Sequence, residues 1–134
     1  MKRLLITSYP WQIKMVLIIY TVCFLVGTST HAAGLLRKGF LAFPVPLLVG
    51  LYWDALTLID PVTAALLWWR PKVGLWLAVG VMASDISINT YVYLSGYFGS
   101  PVPNMVPLSL FDQALFGLFV FVTAPLVYQH VRRL

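Results

Sequence analysis

Four apolar stretches, each about as long as a bilayer core is thick when wound into a helix, leave this chain few ways to fold. A hydrocarbon core of about 30 Å is crossed by roughly 20 residues of α-helix. The stretches cover residues 15–34, 46–69, 73–94 and 108–130 of a 134-residue chain. None alternates apolar and polar residues with period two, which argues against a barrel. The expected fold is therefore all-α: a four-helix transmembrane bundle forming a single domain over 1–134.

Composition points the same way. The chain is 60% hydrophobic and only 10% charged, against about 25% charged in an ordinary soluble domain. A soluble fold this small could not cover so much apolar surface with so few charges. Those figures exclude a soluble enzyme, a disordered tail and a nucleic-acid-binding domain. The implied partner is the lipid bilayer, with no nucleic acid. The one cysteine, Cys23, excludes an internal disulfide and a cysteine-based metal site.

The connections are clearly punctuated. Arg37-Lys38-Gly39 closes the first span, and Phe43-Pro44-Val45-Pro46 leads into the second. Arg70-Pro71-Lys72 is a tight turn, so spans two and three should be antiparallel neighbours. Residues 95–107 form the longest connection, rich in Gly and Pro and without charge.

The net charge of +5 is unevenly placed. With four spans, both termini and the second loop lie on one side. That side carries Lys2, Arg3, Lys14, Arg70, Lys72, Arg132 and Arg133, while the other carries only Arg37 and Lys38. The positive-inside rule places both termini in the cytoplasm of a multi-pass inner-membrane protein. A competing reading makes residues 1–33 a secretory leader with a basic start and an apolar run. Cleavage there would leave three spans in the same orientation.

All four acidic residues are aspartates, Asp54, Asp60, Asp85 and Asp112, and each falls inside a span or near its end. Aspartate at a span centre costs roughly 2.5–3.5 kcal/mol on insertion scales, so such residues normally face the bundle interior. At 1.5 Å of rise per residue, Asp54 lies roughly 12 Å below the outer face and Asp85 at about the same level. Asn89 is one turn further out on the face of Asp85, and Asp112, Gln113 and His31 fall near that layer. All four spans thus bring a polar side chain to the outer half of the membrane. Asp54 and Asp85 are expected to face each other or a shared cavity.

Asp60 precedes Pro61 in the inner half of span two. Proline removes a backbone donor and frees the carbonyl of Thr57, and Asp-Pro also reads as an N-cap with a first helical residue. The second helix is therefore expected to be kinked or broken at Asp60-Pro61. Gly80, Ala83, Ser84 and Ser87 form a small-residue stripe that reads as a helix contact face.

Function is less legible. No two of His31, Asp54, Asp85 and Asp112 stand at a metal-ligand spacing, and no phosphate-cradling loop or nucleophile elbow is present, so no metal and no cofactor are expected. The polar layer suggests a site for a small ligand or ion, in which Asp54, Asp85, Asn89, His31, Asp112 and Gln113 bind or relay protons. A lipophilic or cationic ligand fits that layer, proton-coupled transport would be one use of it, and a homo-oligomer is compatible with it. An alternative is a structural or accessory membrane subunit whose polar layer only fixes helix packing. A third is an intramembrane enzyme acting on a lipid-soluble substrate through Asp85 or Asp54. The four-span plan, with carboxylates in spans two and three, resembles the sterol-isomerase-like emopamil-binding family in architecture. That family's glutamates are absent here, so the resemblance assigns no residue.

Overall fold

The computed structural model of the protein describes residues 8–99 and 108–133. It contains four helices: α1 (Trp11–Lys38), α2 (Leu47–Trp69), α3 (Pro71–Leu94) and α4 (Leu108–Val131). Each is long and apolar enough to cross a membrane. α1 packs on α2, α2 on α3 and α3 on α4, and α1 meets α4 to close the bundle. α1 is longer than its apolar run, beginning at Trp11 rather than near Met15 and ending at Lys38 rather than Gly34. Lys14 is thus helical, and Arg37 and Lys38 occupy the last turn, where cations complement the helix dipole.

The α2–α3 connection is a single residue. Arg70 leaves helical geometry (φ −136°, ψ 72°) and Pro71 starts α3 at once, using the position where a missing N–H costs nothing. The helices approach so closely that a Cβ on Gly74 would strike the backbone of Leu66 and Leu67. At the other end, residues 39–46 join α1 to α2. Gly39 takes a left-handed φ of 91°, and its N–H caps the carbonyl of Leu35 at 2.9 Å.

The interior is filled by Leu17, Tyr20, Leu56, Leu67, Val120 and Val127, all fully buried. Tyr20 ties α1 to α4: its hydroxyl donates to the Val120 carbonyl (3.0 Å) and shares a hydrogen bond with Thr123 Oγ1 (2.6 Å). Trp68 Nε1 ties α2 to α1 by donating to Thr21 Oγ1 at 2.8 Å. The outer surface is as apolar as the core, with Leu48, Leu58, Trp69, Trp76, Leu118 and Val122 exposed.

Two expectations are corrected. α2 runs through Asp60 and Pro61 as one helix, so the break is not there. Asp60 does not cap a restarted helix, because its side chain is drawn into the bundle at 5% exposure. The small-residue stripe of α3 also points away from its neighbours. Gly80, Ala83 and Ser87 are exposed, and a Cβ on Gly80 would meet nothing within 4 Å. Ser84 alone turns inward, and close packing instead falls at Gly117 of α4, where a Cβ would strike Ile86.

Candidate functional site

The polar side chains separate into two groups near the end of the bundle that carries the 39–46 loop. The larger is centred on Asp85, buried at 6% exposure on α3. An ionised carboxylate offers only acceptors, and both oxygens of Asp85 receive donors. Asn89 Nδ2 donates to Oδ1 at 3.0 Å, and Gln113 Nε2 of α4 donates to Oδ2 at 2.8 Å. Asn89 Nδ2 also donates to Gln113 Oε1 at 2.8 Å, closing a ring. Asn89 can reach Asp85 because residues four apart stack on one helix face. Trp53 of α2 completes the group, its indole N–H donating to Asn89 Oδ1 at 2.8 Å.

The smaller group lies between α1 and α2. Asp54 Oδ2 accepts the backbone N–H of Leu41 at 2.8 Å. Leu41 is the one non-glycine among the described residues with positive φ, at 53°. The carboxylate therefore holds a loop turn that a leucine adopts reluctantly. His31 of α1 lies within electrostatic reach of Asp54. Asp112 is exposed on α4.

Asp60 is the acid within electrostatic reach of Asp85. Depth alone suggested Asp54 for that place. Six residues at about 100° each put Asp54 and Asp60 about 120° apart around α2, so Asp60 turns into the bundle while Asp54 turns toward the loop. Gly27 of α1 makes room for Asp60: a Cβ there would lie 2.6 Å from Asp60 Oδ2. Asp60 itself is 5% exposed. One turn earlier, Thr57 Oγ1 is buried without a hydrogen-bond partner among the described residues. Tyr52 stands between these elements. Its hydroxyl shares a hydrogen bond with Ser84 Oγ at 2.7 Å and feels the charges of both Asp85 and Asp60.

Aromatic rings cover the Asp85 group. Trp53 stacks on Phe98 (6.2 Å, 18° between planes) and meets the edge of Phe43 at 5.4 Å. The Lys38 ammonium sits 4.7 Å from the centre of the Phe43 ring. Tyr52 and Trp53, not among the site residues expected from the sequence, join the polar layer through their hydrogen bonds. The usable signal was an indole N–H in a span, which needs a partner when buried. The Ser87 hydroxyl returns to the Ala83 carbonyl at 2.7 Å.

No known protein family, curated protein or solved structure matches this chain.

Proposed function

We propose that this chain is a small polytopic inner-membrane protein, with both termini cytoplasmic, that binds a small ligand or ion at a polar site in the outer half of its bundle. Asp85 supplies the fixed charge and Asn89 and Gln113 orient it, with Asp54, His31 and Asp112 as the further polar groups of that end. The observation that carries this reading is Asp85, a carboxylate buried at 6% exposure with amide donors on both oxygens and a second buried acid, Asp60, within electrostatic reach. Two carboxyls buried near one another are costly unless a proton or cation accompanies them. The unpartnered Thr57 hydroxyl lies on the same helix face. Pro61 leaves the Thr57 carbonyl without its helical donor, and we read a kink at that point. Freed carbonyls of this kind coordinate ions in transporters, and proton-coupled transport is the activity such a site would serve.

The closed ring of Asp85, Asn89 and Gln113 favours a second reading, in which the layer only fixes helix register. One experiment separates the two. Melting of the protein in detergent micelles is followed against pH and against added Na⁺, K⁺ and tetramethylammonium. An ion or proton site predicts a wild-type response that disappears in Asp85→Asn while the protein stays folded. A response retained in both Asp54→Asn and Asp85→Asn overturns the site.

A further inference from the structure

At the opposite end of the bundle, α3 and α4 leave an open groove of about 400 Å³. Leu75, Trp76 and Val79 line one side, and Phe121, Pro125 and Tyr128 the other. The volume is in the range of sites that hold small molecules, and the lining is almost wholly apolar. Ala124, also in the lining, keeps it open. Trp76 and Tyr128 meet edge to face at 5.9 Å across one end. Such amphipathic rings favour headgroup level in a bilayer.

The cations lie beyond that end. Lys72 stands four residues before Trp76, and Arg132 four residues after Tyr128, so each extends its helix face past the groove. Arg132 keeps the helical register, its N–H donating to the Tyr128 carbonyl at 2.9 Å. Both are exposed. All four aspartates belong to the middle or far end of the bundle, so among the described residues no side-chain carboxylate neutralises this end.

An apolar groove between two helices with a basic mouth matches a double-natured molecule: a hydrocarbon chain joined to a phosphate. We propose that the α3–α4 groove is a binding site for an anionic phospholipid, with an acyl chain against Leu75, Val79, Phe121 and Pro125 and the phosphate between Lys72 and Arg132. The proposal rests on membrane insertion but not on the Asp85 site. Basic recesses between spanning helices bind anionic headgroups in this way.

The test uses the full chain in nanodiscs of equal parts phosphatidylglycerol and phosphatidylcholine, with retained lipid identified by native mass spectrometry. Two cations near a headgroup predict enrichment of phosphatidylglycerol by roughly ten- to thirtyfold. Lys72→Gln with Arg132→Gln should abolish the enrichment, and Ala124→Phe, which fills the groove, should reduce retention of both lipids. Arg37→Gln at the other end should change neither. Equal retention of the two lipids by wild type, or undiminished enrichment in the double variant, overturns the lipid site. Carbonate extraction of the expressing membranes tests insertion separately: release of the chain overturns both the membrane reading and the lipid site. Retention in the membrane without enrichment overturns the lipid site alone.

Discussion

Gly27 shows how one missing methyl group positions an acid. A Cβ at this site would press on Asp60 Oδ2, whereas a Cβ on Gly80 would enter open space. Alanine is intrinsically favoured over glycine in a helix by about 1 kcal/mol, so the two substitutions should differ in sign. Gly80→Ala should be neutral or stabilising, and Gly27→Ala should destabilise by about 1–3 kcal/mol, the usual cost of overpacking. Adding Asp60→Ala should recover most of that loss; unfolding in mixed micelles measures all three. The sequence gives little warning of this contact, because both glycines sit in apolar runs and nothing in their spacing says which one faces an acid. The same limit applies to the aspartates. Depth follows from counting residues, but Asp54 and Asp60 differ by rotation around α2, and rotation depends on packing that only the folded bundle defines.

The helices themselves were largely readable, since length and apolarity suffice to find them. Their contact faces were not. In a soluble protein an apolar stripe marks the core, but here both the core and the outer surface are apolar, so periodicity loses its meaning. The small residues of α3 misled for that reason: Gly80, Ala83 and Ser87 face outward, while α4 meets α3 at Gly117. The α1–α4 seam rests instead on a polar contact inside an aromatic cluster, Tyr20 with Phe116 and Phe119 at 6.2 and 5.8 Å. Tyr20→Phe keeps those ring contacts and removes both hydroxyl hydrogen bonds. It should cost about 1 kcal/mol, read as a lower midpoint in the same micelle unfolding assay. No change would mean that packing alone holds the seam.

At the scale of the molecule, orientation depends on the distribution of cations. After replacement of Cys23 by Ala, a cysteine introduced at Gly99 should react with an impermeant maleimide applied from outside intact cells. A cysteine at Arg133 should react only after the cells are opened. The reverse pattern would invert the topology and contradict the charge asymmetry from which it was read. The polar site was legible as a set of residues and illegible as an arrangement: Asp85, Asn89 and Gln113 do converge, but His31 goes with Asp54 and Asp112 is exposed. The single-residue link at Arg70 bears on how such a molecule is made. With no slack between them, α2 and α3 cannot settle independently, and the second cannot wait in water while the first equilibrates with lipid. In the membrane setting proposed above, the two would enter the bilayer as one hairpin that carries Asp60 and Asp85 together. That hairpin already holds both acids, and α4 adds Gln113, the donor to Asp85 Oδ2.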